Sequence, residues 1–300
     1  GFCAGVERAI KCVEEALERF GAPVYVLNDI VHNSHVVSDL RSRGAIFVKD
    51  LKDVPPGSHL LFSAHGVSPE RYKEAEKYNM HVVDATCPLV EKVHNEARRF
   101  AARDYTIVLI GEQGHDETIG TMGWAPKHIK RVLTVEDVAE LEIEDTENIS
   151  YITQTTLSVE DCNRVIDALK ARFPHIVGPP TEDICYATTN RQAAIASLSP
   201  EADLILVVGD VTSGNSNRLV DTSRARGKAA YLISSEKDIK DAWFEGIETI
   251  VLTAGASAPE GVVQCVVEHL KSRGVDEVVE AEYVPENVHF KLPKALTAKA

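Results

Sequence analysis

The sequence predicts an α/β protein made of three similar units with mainly parallel sheets. Three observations carry this. Short runs rich in Val, Ile and Leu recur along the 300-residue chain, as strands covered on both faces do. Stretches with apolar residues at 3.6-residue spacing separate them. Cysteines recur at strand-to-helix junctions at domain-like separations, the mark of a repeated unit.

Taken in order, the first helix is marked by Val6, Ala9, Ile10, Val13, Leu17 and Phe20, with Cys3 just ahead of it. Strands follow at 24–27, 45–48, 60–62 and 82–83, the last leading into Cys87 and a helix over 90–100. Strands at 106–110 and 151–153 precede a helix marked by Val159, Cys162, Ile166 and Leu169. The short run 182–184 reads as a strand before Cys185, with a helix over 191–198 beyond it. Strands at 204–208, 231–233 and 249–252 precede a helix marked by Val262, Val266 and Leu270. The expected units are 1–87, 88–184 and 185–274, with 275–300 a tail that packs back on an earlier unit. By the logic of the repeat a strand should precede Gly1, so the first unit is expected to lack its leading strand here.

A net charge of −14 opposes non-specific attraction to nucleic acid or anionic membrane. Any anionic ligand must be captured by local donors. The apolar runs are far shorter than the roughly 20 residues of a membrane-spanning helix. Six cysteines without a CxxC pair do not make a disulfide framework, which points to a reducing, cytoplasmic setting.

The strand exits are rich in Gly, Ser, Thr and His, at 63–66, 111–115, 153–156, 212–216 and 253–257. Ligands of open α/β sheets bind outside these carboxyl ends. A thiol at a helix N-terminus is favoured as thiolate, the metal-binding form, and Cys3, Cys87 and Cys185 all occupy such junctions. Cys12, Cys162 and Cys265 read as ordinary helical residues. Three thiolates without close pairs suit an iron–sulfur cluster with one open iron better than structural zinc. His32, His65 and His115, with Thr155, Thr156, Ser213, Asn215 and Ser257, supply many donors and few formal charges, as a phosphate site on an acidic protein requires. Glu117 is a proton donor if burial raises its pKa, and otherwise an early-helix acid that suits the dipole.

At these residues the sequence resembles the 4-hydroxy-3-methylbut-2-enyl diphosphate reductase family. The matching strings are GFCAGVERAI at 1–10, VHN at 31–33, FSAHGV at 62–67 and DATCPLV at 84–90. GH at 114–115, with Glu117 and GTMG at 120–123, TQTTLS at 153–158 and ICYATTNRQ at 184–192 continue the series, and NSNRL at 215–219 and TAGASAP at 253–259 complete it. The resemblance implies a trefoil of three units around a central cavity, with a [4Fe–4S] cluster on Cys3, Cys87 and Cys185. It implies that His32, His65, Ser213, Gly214, Asn215 and Ser257 hold the diphosphate. His115 and Glu117 would deliver protons, with Thr155 near the substrate hydroxyl and Thr156 supporting it. The implied reaction is a two-electron reductive dehydroxylation of the allylic diphosphate to isopentenyl and dimethylallyl diphosphate. Reduced ferredoxin or flavodoxin would supply the electrons.

Gly214 stands where the family's phosphate loop carries serine, one hydroxyl fewer, for which a closely approaching glycine N–H can compensate. Glu7 replaces the commoner aspartate. Two other classes compete with the reductase. One is an enzyme whose nucleophile is Cys87 or Cys185 paired with His65 or His115. The other is an iron–sulfur sensor or ligand-binding regulator, which no helix-turn-helix or basic face supports.

Overall fold

Helix α1 (Ala4–Phe20) opens the chain with Ala9, Cys12, Val13 and Ala16 on one fully buried face. The computed structural model describes residues 1–281 and 283–297. After α1 come β1 (Val24–Leu27), α2 (Ser34–Ser42), β2 (Ala45–Val48), β3 (His59–Phe62), α3 (Pro69–Lys77) and β4 (His81–Asp84). The four strands form one parallel sheet in the order β2-β1-β3-β4. Helix α1 lies on it, joining Val26, Leu61 and Val83 in one apolar core.

The second sheet follows α4 (Pro88–Ala101). It is built from β5 (Thr106–Ile110), α5 (Asp116–Trp124), β6 (Ile129–Val132), α6 (Val135–Glu140), β7 (Ile149–Thr153) and α7 (Val159–Arg172). Its parallel order is β6-β5-β7. Val93, Ala97 and Phe100 of α4 pack on Ile107, Leu109 and Ile152, while Cys162 and Leu169 of α7 cover the opposite face.

The third sheet follows α8 (Tyr186–Leu198). Its elements are β8 (Leu204–Val208), α9 (Gly214–Ala225), β9 (Ala229–Ile233), β10 (Ile250–Ala254) and α10 (Glu260–Ser272), with parallel order β10-β8-β9. Every residue of β8 is buried, because α8 and α9 cover one face and α10 the other. Each such Leu, Ile or Val contributes roughly 1.5–3 kcal/mol by leaving water. A last helix, α11 (Lys294–Thr297), places Leu296 in the core beneath α1, and Leu292 packs beside it. The tail therefore returns to the first sheet. Glu282 and residues 298–300 of the expected tail lie outside the described residues, as does the strand expected ahead of Gly1. Among the described residues, no helix is long and apolar enough to cross a membrane.

Two expectations need correcting. Residues 182–184 are irregular, not a strand, and α8 begins directly after Cys185 rather than at Arg191. The run before Cys185 mimics a strand because Asp183 takes over a backbone role: its Oδ2 accepts the Thr153 N–H at the end of β7, 2.9 Å away. The sequence also gives no sign of β6, an edge strand whose Lys130 and Arg131 break the apolar run.

Candidate active site

Cys3, Cys87 and Cys185 are the N-cap residues of α1, α4 and α8. None of them caps its helix through the side chain, and Cys185 Sγ has the Thr188 hydroxyl 3.2 Å away. Their backbone N–H groups are held in one repeated way. Cys87 N donates to Ala64 O at 2.9 Å, Cys185 N to Thr155 O at 3.0 Å and Cys3 N to Ala256 O at 3.0 Å. Each acceptor lies two residues past the end of a strand, β3, β7 and β10 respectively. The residues next in sequence are His65, Thr156 and Ser257, all candidate ligand residues. One hydrogen bond per sheet thus fastens a cysteine beside a donor loop and brings the three carboxyl edges to one place.

The sulfurs of Cys3 and Cys87 border the same space. A Cβ added at Gly5 would stand 2.7 Å from Cys87 Sγ and 3.9 Å from Cys3 Sγ. Among the described residues, the three cysteines do not form a group whose ligand atoms all lie within 4.8 Å of one another. A tetrahedral zinc would need sulfurs roughly 3.8 Å apart, given Zn–S bonds of about 2.3 Å. The donor set therefore does not close on one ion, and three thiol donors without a fourth protein ligand among the described residues suit a thiolate-bound cluster by their chemistry.

Helix position alone predicts lowered thiol pKa values, and here burial reverses the sign. Cys87 is pushed up to about 12, chiefly by desolvation and further by the neighbouring sulfurs, and Cys185 to about 11. A nucleophilic cysteine needs the opposite shift. The two histidines offered as its base are engaged elsewhere, His65 Nδ1 with Ser63 Oγ at 3.4 Å and His115 Nδ1 with Glu117 N at 3.1 Å.

Glu117, in the first turn of α5, is 2% exposed. Its Oε1 accepts Thr155 N at 2.7 Å and its Oε2 accepts the Thr155 hydroxyl at 2.9 Å. Desolvation dominates these two bonds, and the charges of Asp183 and Glu112 add to it, so the carboxyl pKa rises to about 7. The group can hold and release a proton near neutrality.

His115 caps α5 through Nδ1, which must be the acceptor; the neutral ring therefore carries its proton on Nε2. Burial lowers its pKa, and His32 nearby lowers it further. The same causes hold His65 well below its ordinary value, while burial lowers His32. The His32 and His65 rings stack at 3.9 Å, with the His115 ring edge-on 5.1 Å from His32. These are neutral N–H donors rather than cations. His32 Nε2 is buried without a partner.

The third sheet contributes the start of α9. Ser213 caps it, its Oγ accepting Ser216 N at 3.3 Å, which leaves the hydroxyl proton free. Asn215 is 4% exposed, and both of its side-chain polar atoms lack a partner. Leaving such groups unpaired costs about 1–3 kcal/mol each, so Asn215 is a strong candidate to contact a polar ligand. The Ser257 hydroxyl donates to His32 O at 2.9 Å, tying the third sheet's exit to the first sheet's loop. A Cβ at Gly214 would come within 3.2 Å of Thr156 Oγ1, so these two candidates face each other.

The profile of the LytB protein family matches residues 1–271. The chain belongs to the LytB family. A relative from Bordetella pertussis named 4-hydroxy-3-methylbut-2-enyl diphosphate reductase is 53% identical over 299 residues, covering 100% of this chain and 92% of the relative. Another so named, from Pectobacterium carotovorum, is 52% identical over 99% of this chain and 95% of its own length. The solved structure of E-1-hydroxy-2-methyl-but-2-enyl-4-diphosphate reductase from Plasmodium falciparum superposes with a TM-score of 0.94 at 42% identity, covering 99% of this chain and 94% of that one. A second solved structure, titled (E)-4-hydroxy-3-methyl-but-2-enyl diphosphate reductase, the terminal enzyme of the non-mevalonate pathway, gives 0.65 at 32% identity over 91% and 96%.

Two residues of this LytB chain escape the sequence reading. Gln154, 1% exposed, accepts Glu112 N at 2.9 Å and the Thr118 hydroxyl at 3.2 Å through Oε1. Its Nε2 then donates to Thr156 Oγ1 at 3.1 Å, which turns the Thr156 proton outward. The sequence places it in the strand exit at 153–156 and gives no sign of this bracing role. Gly5 does leave a signal, since a glycine inside a helix costs about 1 kcal/mol and asks for a reason. Here the reason is Cys87 Sγ. Gly5→Ala is expected to fold but to retain little iron after anaerobic reconstitution, as read by absorbance and iron content.

Proposed function

We propose that the chain is a 4-hydroxy-3-methylbut-2-enyl diphosphate reductase. It takes an allylic alcohol diphosphate, two electrons and two protons, and yields isopentenyl or dimethylallyl diphosphate and water. The observation that carries this is the pairing of a buried Glu117, poised near pH 7, with unpartnered donors on Asn215 and His32. Cys3, Cys87 and Cys185 would hold a [4Fe–4S] cluster, which when bound supplies single electrons and one iron without a protein sulfur ligand. Reduced ferredoxin or flavodoxin delivers those electrons one at a time. The reading places units at 1–87, 88–184 and 185–274, with 275–300 as the returning tail, in a cytoplasmic enzyme.

The neutral imidazoles of His32 and His65, with Ser213, the Gly214 N–H and Asn215, receive the diphosphate, and Ser257 joins them when its hydroxyl proton turns from His32 O to the ligand. The first turn of α9 adds its unpaired N–H groups and dipole. Thr156, its oxygen occupied by Gln154, donates to the ligand. His115 Nε2–H donates beside His32. When Glu117 is protonated its contact with the Thr155 hydroxyl reverses. The carboxyl O–H donates to Thr155 Oγ1 and the Thr155 proton passes to the substrate alcohol, so the hydroxyl leaves as water rather than hydroxide. Glu117 must then be reprotonated before the next turnover.

The test is anaerobic turnover of the allylic diphosphate by reconstituted enzyme and a reduced one-electron dye. The two five-carbon diphosphates are expected as products, and cluster-loaded enzyme that leaves the alcohol unreduced would reject the assignment.

A further inference from the structure

Lys92 makes contacts that the proposed reaction leaves unused. It sits in α4, the helix headed by Cys87, and its ammonium donates at 2.8 Å to Thr181 O, Glu182 O and Asp183 Oδ1 together. An ammonium has three protons, so every one is committed to this single segment. Residues 178–184 have no helix or strand of their own, and Cys185 follows directly. The segment is hooked to β7 by the Asp183 bond to Thr153 N and by the Cys185 N–H bond to Thr155 O. Lys92 supplies the hook to the other cysteine's helix.

We propose that Lys92 is a positioning residue that fixes the Cys185 loop relative to the helix bearing Cys87, and so sets the separation of two of the three cluster-binding sulfurs; this rests on the cluster assignment above. A ligand carried by an irregular loop holds a metal only as well as the loop is held. The two cysteines belong to different helices, and among the described residues no backbone ladder joins those helix starts. Outer contacts that orient ligands typically alter metal retention by roughly 10–100-fold when removed. Asp183 has no exposed side-chain surface, and Glu96 Oε1 is 3.7 Å from the ammonium. Lys92 therefore also neutralises buried carboxylates, and the test must separate that task from positioning.

Wild-type, Lys92→Met, Lys92→Arg and the double variant Lys92→Met/Asp183→Asn are reconstituted anaerobically with iron and sulfide. Iron release to a chelator, the electron paramagnetic resonance spectrum of the reduced protein, and thermal unfolding of the cluster-free protein are then measured. Lys92→Met is expected to release iron about 10–100-fold faster with a changed spectrum. The double variant is expected to unfold at a higher temperature than Lys92→Met while releasing iron as fast, because it removes a buried charge without restoring the hook. Lys92→Arg, with a planar fork that does not match three acceptors placed for an ammonium, is expected to fold normally and fall between. If Lys92→Met fails to fold, the Arg and double variants carry the comparison. Wild-type iron release and an unchanged spectrum in the folded variants, or full recovery in the double variant, would overturn the proposal. A wild-type protein that binds no cluster would instead overturn the cluster assignment.

Discussion

Glu117→Gln is expected to bind the allylic diphosphate normally and to turn it over about 10²–10⁴-fold more slowly, the usual range for loss of a placed general acid. Glutamine has nearly the same shape and can accept the Thr155 N–H as Glu117 Oε1 does, so the loop carrying Cys185 should stay in place. What disappears is the transferable proton. The pH dependence provides a second signature. Burial raises the Glu117 pKa to about 7, so the active, protonated form dominates below that value and the rate should fall as pH rises through it. A bound diphosphate adds negative charge and moves this limb upward. The glutamine variant should lack the limb. The folded chain also holds this proton more tightly than the unfolded chain. Its contribution to stability is thus complete below the ordinary carboxyl pKa and is lost as pH rises to about 7. Initial rates across roughly two pH units either side of that pKa would check the first sign, and denaturant unfolding over the same range would check the second. Near-normal turnover of the glutamine variant would remove Glu117 from the proton path.

Replacing any one of Cys3, Cys87 or Cys185 with serine is expected to abolish turnover and the brown absorbance of the reconstituted protein. Cys162→Ser should keep both. All four residues are free thiols, and Cys162 is the most deeply packed, between β7 and α7 in the second core. The comparison therefore separates ligation from packing. A packing account predicts the greatest damage at Cys162, 2% exposed, whereas the ligand account predicts damage only at the three helix starts. Equal loss at all four would defeat the ligand assignment.

Central strands were legible because both faces are buried and their residues say so without interruption. β1, β5 and β8 coincide with the apolar runs at 24–27, 106–110 and 204–208. β6 was not, since an exposed edge strand tolerates Lys130 and Arg131. α8 starts earlier than expected because Thr188, Thr189 and Asn190 hide its periodicity, while the Cys185 carbonyl starts its hydrogen bonds. The site residues were legible by type and loop position, but their contacts were not. Which His115 nitrogen carries the proton depends on the Glu117 N–H, and the sign of the thiol shifts depends on how deeply three sheets bury them. Neither follows from local sequence.

The central claim is that thiolates from three helix starts grip one cluster with an iron left over. Mössbauer spectroscopy of protein reconstituted anaerobically with iron-57 tests it most directly. The account predicts about four irons per chain in two kinds of site at roughly 3:1, the minor component shifting when the allylic diphosphate is added. A single mononuclear iron, or four equivalent sulfur-bound sites indifferent to the diphosphate, would contradict it.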